Sequence, residues 1–198
     1  PKKVAVIHDK QQYGEGIASS VKAGLEAANI PVVAFEGITA GDKDFSAIIA
    51  KLKKLDVDFV YYGGYHPELG LLLRQSKEKG LNAIYMGPEG VGNKDISAIA
   101  GEASEGLLVT LPKKYDLDPA NKAVVDHIVA KGEDATGPFV WTGYAAIQAM
   151  AQGMKAGKED PMELAEYLRS NTANTVMGDL QWDSKGDLKG FEFGVFTW

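Results

Sequence analysis

Two tyrosines and a glutamate, Tyr13, Tyr65 and Glu89, each follow a short apolar run and precede a helical pattern. Tyr13 sits in His8-Asp9-Lys10-Gln11-Gln12-Tyr13-Gly14-Glu15-Gly16. Tyr65 sits in Tyr62-Gly63-Gly64-Tyr65-His66-Pro67, and Glu89 in Met86-Gly87-Pro88-Glu89-Gly90. In an open α/β sheet, the loops past the carboxyl ends of the strands form the binding crevice. A carboxylate on a glycine-flanked loop can pair with an ammonium ion through charge-assisted hydrogen bonds. Tyrosine rings supply apolar surface with a hydroxyl tip. Together they suit a small ligand with an ammonium group and an apolar tail. The plainer alternative makes Glu89 a surface loop acid and each tyrosine a loop aromatic packed on its own domain.

Other chemistry is thinly represented. His8, His66 and His127 have no metal-type spacing. His8 and His66 fall beside the crevice loops, where a secondary role is open to them, whereas His127 lies on a helix and is expected to face solvent. Tyr13-Gly14-Glu15-Gly16 is not a dinucleotide fingerprint, and there is no phosphate-binding lysine–serine loop and no Gly-x-Ser-x-Gly elbow. For an enzyme, Glu89 with His66 is the one acid/base pair to nominate; the expectation is that the chain is no enzyme and carries no cofactor. No cysteine occurs, which excludes a disulfide framework, a thiolate zinc site and a cysteine nucleophile. Tyr61 and Tyr62 lie within a strand and are expected in the core, one on each face.

These residues need elements to hold them. The 198 residues are 45% apolar and 24% charged, enough for one full domain and a smaller second unit. A net charge of −6 argues against a nucleic-acid partner, which would call for a basic stripe. No apolar run approaches the roughly 18 residues of a membrane span, and no signal peptide is recognised.

Up to about residue 112, strand and helix alternate: strands at 4–7, 31–35, 57–62, 83–86 and 106–111, with helices at 14–28, 45–55, from Pro67 to Gly80, and 95–100. Asp44 is the expected N-cap of the second helix. Short apolar strands separated by helices call for a parallel sheet covered on both faces. Right-handed crossovers make it a doubly wound, Rossmann-like α/β sheet of order 2-1-3-4-5. The switch point then falls between strands 1 and 3, where Tyr13 and Tyr65 emerge. Past Pro112 the pattern changes. Residues 119–131, 138–157 and 160–171 read as helices, Thr175 to Trp182 as strand-like, 183–187 as a tight turn and Phe191 to Phe196 as a final strand. Three helices and a hairpin have apolar faces with no parallel sheet to cover, so this half reads as incomplete.

Four stretches resemble the periplasmic leucine/isoleucine/valine-binding protein family, the solute receptors of branched-chain amino-acid ABC importers. They are residues 7–16, 58–68 and 86–90, and Trp182-Asp183-Ser184-Lys185-Gly186-Asp187-Leu188-Lys189-Gly190-Phe191-Glu192-Phe193. The resemblance covers the whole chain. It implies a type I periplasmic binding protein fold with an incomplete second lobe: residues 1–112 with 190–198 as the C-terminal ligand-binding lobe, and 113–189 as the remainder of the N-terminal lobe. It also implies that Glu89 receives the ammonium of a branched-chain L-amino acid, that the rings of Tyr13 and Tyr65 flank the ligand, and that Phe139 lines the side-chain pocket. The implied location is the periplasm and the implied partner the inner-membrane permease.

Family members are much longer at the N-terminus, so an N-terminally truncated fragment is expected, with weak or no ligand binding alone. Self-association through residues 113–189 is the further expectation for partners. The alternative reading is an engineered lobe fragment, or one half of a split binder or sensor, without independent activity.

Overall fold

The computed structural model describes residues 1–137 and 139–198. The elements follow in the order β1 (Val4–His8), α1 (Gln12–Ala27), β2 (Val32–Gly37), α2 (Ser46–Lys54), β3 (Phe59–Gly63), α3 (His66–Glu78), β4 (Ile84–Gly87), α4 (Asp95–Ala100), β5 (Leu108–Pro112), α5 (Lys122–Ala130), α6 (Val140–Lys155), α7 (Pro161–Ser170), β6 (Ala173–Thr175), β7 (Gly178–Leu180) and β8 (Phe193–Thr197). They form two compact units, Pro1–Leu111 with Gly194–Trp198, and Pro112–Phe193.

In the first unit the sheet order is β2-β1-β3-β4-β5-β8, and β1, β2, β3, β4 and β5 pair parallel. The expected order 2-1-3-4-5 is present, extended by one strand. Every residue of β1 is buried, as a central parallel strand requires. Its side chains alternate between two cores. Val4 and Val6 join Ala18 and Tyr61 beneath α1, whereas Ala5 and Ile7 join Ile49, Leu52, Leu69, Leu72 and Ile96 beneath α2, α3 and α4. Tyr61 and Tyr62 divide between the same two cores, and burial raises both phenol pKa values.

The N-cap of α2 is Phe45, without a side-chain cap, and not the expected Asp44, which stands one residue earlier because the helix begins at Ser46. Asp44 is held below its ordinary carboxyl pKa by hydrogen bonds from the Ser46 side chain and from the Ser46 N–H, the latter donated to Asp44 Oδ1 at 2.8 Å. Gly80, at φ 67°, closes the turn after α3. Trp198 ends the sheet: its N–H donates to Leu107 O at 2.8 Å and its indole N–H to Ser97 Oγ at 2.7 Å.

The second unit holds α5, α6, α7 and the antiparallel pair β6–β7. Asp160 caps α7 by accepting from Met162 and Glu163 N–H at 2.9 and 3.2 Å, with Pro161 in the first turn. The helix expected from 138 begins at Val140; Pro138 lies outside the described residues. One side of α6, formed by Trp141, Ala145, Ala149 and Gly153, is buried, and the Trp141 indole donates to Ala135 O at 2.9 Å.

The expected hairpin of 175–182 with 191–196 does not form. Residues 173–180 fold back on themselves as β6–β7. Asp183 Oδ1 accepts three successive N–H groups, of Lys185, Gly186 and Asp187, each at 2.9 Å. That turn is tied off by a single bridge, Trp182 to Leu188, and the chain then leaves to make β8 in the larger sheet.

Candidate ligand-binding site

The loops that leave β1, β3 and β4 meet at one end of the sheet, where Gly90 lies against Gly64, Tyr13 and Tyr65, and backbone groups tie the end of β1 to the ends of β3 and β2. The Asp9 N–H donates to Gly63 O at 3.1 Å, and the Ile38 N–H to His8 O at 2.8 Å. Buried Asp9 accepts the Gln11 N–H at 2.9 Å, which shapes the turn into α1. Lys10 takes φ 60°, a left-handed conformation uncommon for a side chain of its size.

The Lys10 N–H donates to His8 Nδ1 at 3.2 Å. The buried His8 ring packs on Phe35 at 5.2 Å between centroids, so His8 supports the loop from within. His66 opens α3, and no hydrogen bond or ion pair among the described residues joins it to Glu89. His127 is exposed on α5.

Tyr13 occupies the first turn of α1, Tyr65 the residue capping α3, and Glu89 opens a single 3-10 turn (Glu89–Val91) after β4. The structure brings the two tyrosines into mutual contact: ring centroids lie 5.3 Å apart at 33°. That spacing is ring-on-ring packing. It leaves no room for an aliphatic chain between the rings, so they form one aromatic wall, 39% and 46% exposed respectively.

Glu89 stands beside this wall, since its charge contributes to raising the Tyr13 phenol pKa. Burial is the largest cause of that rise, and a backbone hydrogen bond from Gly90 opposes it. Burial alone raises the Glu89 carboxyl. Desolvation of this half-buried carboxyl disfavours its charged form. Phe139 belongs to the second unit, where it precedes α6 and is 57% exposed.

The carboxyl shift has a stated sign. Between the ordinary and the raised pKa, Glu89 is ionised in the unfolded chain and still protonated in the folded one. The fold therefore loses stability as pH rises through that window. Denaturation of wild type and Glu89→Gln across pH about 4 to 7 is expected to show the variant gaining on wild type toward neutrality. A gap that widens the other way would mean that the native site favours the carboxylate.

Sequence reasoning missed the glycines that make this geometry. Gly14 and Gly63 are buried against each other where α1 begins and β3 ends, and Gly90 abuts both tyrosines. Their clustering at the three loops was the available signal. Among the described residues no cluster of metal-ligating side chains occurs, and no helix is long and apolar enough to cross a membrane.

Comparison with known proteins agrees with this architecture. A family model described as periplasmic binding protein matches residues 1–189. A Leu/Ile/Val-binding protein of Citrobacter freundii is 61% identical over all 198 residues, which cover 54% of its length. A leucine-, isoleucine-, valine-, threonine- and alanine-binding protein of Pseudomonas aeruginosa is 59% identical over the same 198 residues, 53% of its length. The chain thus spans about half the length of the curated relatives it matches. These relatives are named as binding proteins, not as enzymes.

In fold, the chain is similar to a leucine binding protein from Thermotoga maritima. The TM-score is 0.82 at 24% identity, covering 99% of this chain and 60% of that one. It is also similar to a branched-chain amino acid transporter substrate binding protein from Streptococcus pneumoniae in complex with isoleucine. There the TM-score is 0.76 at 22% identity, again covering 99% and 60%.

Proposed function

This chain belongs to the periplasmic binding protein family, and from that premise we propose that it serves as the solute-binding component of a branched-chain amino-acid ABC importer, in the periplasm, delivering its ligand to the inner-membrane permease. The observation that carries the reading is the half-buried Glu89 carboxylate beside the Tyr13–Tyr65 wall at the carboxyl ends of β1, β3 and β4. Glu89 receives the ligand ammonium, and the aromatic wall takes the aliphatic side chain. Phe139 enters as a side-chain contact by family resemblance. Residues 1–112 with 190–198 act as the ligand-binding lobe, and residues 113–189 are part of another lobe.

Two observations support an unfinished second lobe. Relatives are about twice as long, and α6 is apolar on both sides. Opposite its buried side, Tyr144, Ile147, Met150 and Met154 are exposed, Ile147 at 63%. A helix apolar all round belongs in an interior. By itself the 198-residue chain is expected to bind weakly, because a zwitterion's carboxylate must also be satisfied before it can be buried.

Isothermal titration with L-leucine tests this on two proteins, the 198-residue chain and a polypeptide extended to the relatives' length. Binding by the extended protein, with weak or no binding by the shorter chain, is the expected pattern. Micromolar affinity in the shorter chain removes the half-site reading, and absence of binding in both removes the receptor reading.

The bare α6 face also supports self-association of the isolated chain. Sedimentation is expected to show mass rising with concentration, and Ile147→Glu with Met154→Glu to restore a monomer. A wild-type chain that stays monomeric at high concentration would refute it.

A further inference from the structure

Gly90 is not a glycine for conformational reasons. Its backbone lies outside the left-handed region, so an L-residue could adopt it. What it lacks is space. Gly90 is buried, and an added Cβ would lie 3.0 Å from Gly64 O, 3.2 Å from Tyr13 Cε1 and 3.2 Å from Tyr65 Cδ1. Its backbone also hydrogen-bonds Tyr13. One residue therefore touches the first turn of α1, the loop into α3 and both aromatic rings.

We propose that Gly90 is a specificity-determining positioning residue, whose missing side chain lets Tyr13 and Tyr65 close on each other as a continuous wall and so sets the surface on which a ligand side chain rests. The proposal deepens the receptor reading above and rests on it. Gly92 supplies the contrast within the same turn. A Cβ there would meet Leu111 Cδ2 at 2.6 Å, Glu89 O at 3.2 Å and Val109 Cγ1 at 3.4 Å as its nearest neighbours, none of them a ring atom. Gly92 is a packing glycine, and Gly90 is a glycine of the site.

A methyl at position 90 must displace the Gly64 carbonyl and both rings by a few tenths of an ångström, and the rings can yield because their outer faces are exposed. A large aliphatic side chain that uses the whole wall then loses contact, whereas a methyl side chain uses little of it. In the extended protein, Gly90→Ala is expected to weaken L-leucine by on the order of tenfold and L-alanine by well under that, because a mismatch of about one methylene in an apolar site is worth roughly 10–200-fold.

Two readouts test it. The first is ligand-free. In the 198-residue chain, nuclear Overhauser contacts between the Tyr13 and Tyr65 rings are expected in wild type and in Gly92→Ala, and are expected to weaken in Gly90→Ala with shifts confined to residues around the site. The second is the leucine-to-alanine affinity ratio, which should fall for Gly90→Ala and hold for Gly92→Ala even if Gly92→Ala melts earlier. Ring contacts unchanged by Gly90→Ala overturn the proposal. So does an unchanged ratio with displaced rings. A wild-type extended protein that binds neither amino acid counts against the receptor reading instead, and the ring contacts alone then decide whether Gly90 positions the pair.

Discussion

Gly63→Ala is expected to unfold the larger unit at a much lower denaturant concentration than wild type, a loss of about 3 kcal/mol or more, at or beyond the upper end of ordinary overpacking. The added Cβ would overlap the carbonyl oxygen of Gly14 and stand 3.1 Å from both the Gly14 carbonyl carbon and Ala18 Cβ. The main obstacle is backbone, so no side-chain rotation relieves it; α1 must lift off the sheet. That would open the core of Val4, Val6, Ala18 and Tyr61 and strain the Asp9–Gly63 hydrogen bond.

Gly14→Ala meets the same contact from the other side, since its Cβ would overlap Asp9 Oδ1 and lie 2.6 Å from Gly63 O. Gly16→Ala, two residues along the same helix, has nothing within 4 Å and is expected to stabilise by roughly 0.5–1 kcal/mol. Urea denaturation followed by fluorine NMR of 5-fluorotryptophan isolates the unit. Trp198 is its tryptophan; Trp141 and Trp182 report on the other. A Gly63→Ala loss below about 1 kcal/mol would mean that helix and strand separate at little cost.

Glu89→Gln is expected to cost the extended protein about 1.5–3 kcal/mol of ligand binding, the usual worth of a hydrogen bond to a charged group, or on the order of 10–100-fold in Kd. The amide keeps the shape of the side chain but gives up the charge that meets an ammonium ion. The same substitution removes a carboxylate whose ionisation is opposed by burial, so stability at neutral pH should hold or rise while affinity collapses. That divergence separates a binding role from a structural one. Titration with L-leucine at neutral pH checks it, and an affinity within about threefold of wild type, less than 0.7 kcal/mol, would remove Glu89 from the site. Wild-type affinity should in turn fall as pH drops through the raised carboxyl pKa.

Much of the larger unit was legible in the order of residues. Val4-Ala5-Val6-Ile7 is apolar throughout because a central parallel strand is buried on both faces, and the alternation of such runs with helices of ten or more residues dictated the sheet order. Placement of Tyr13, Tyr65 and Glu89 at one end of the sheet followed from the same topology. Legibility failed after residue 172. Strand propensity in 175–182 and 191–196 suggested a hairpin, but pairing partners are chosen by tertiary register. Asp183 builds a local turn that uses its own backbone donors, leaving β8 to add to the larger sheet.

What the sequence determined by itself is the set of elements in the larger unit, their parallel order and the end of the sheet where Tyr13, Tyr65 and Glu89 gather. These follow from local periodicity and from the handedness of chain connections, both properties of neighbouring residues. Only the tertiary structure decided that the two tyrosine rings touch instead of facing each other across a gap, that Gly63 and Gly14 stand against each other, and that Gly90 lies against both rings. Each of these is a distance of a few ångströms between residues 20 to 80 positions apart, and such distances are set by how helices and strands pack, which no local pattern encodes.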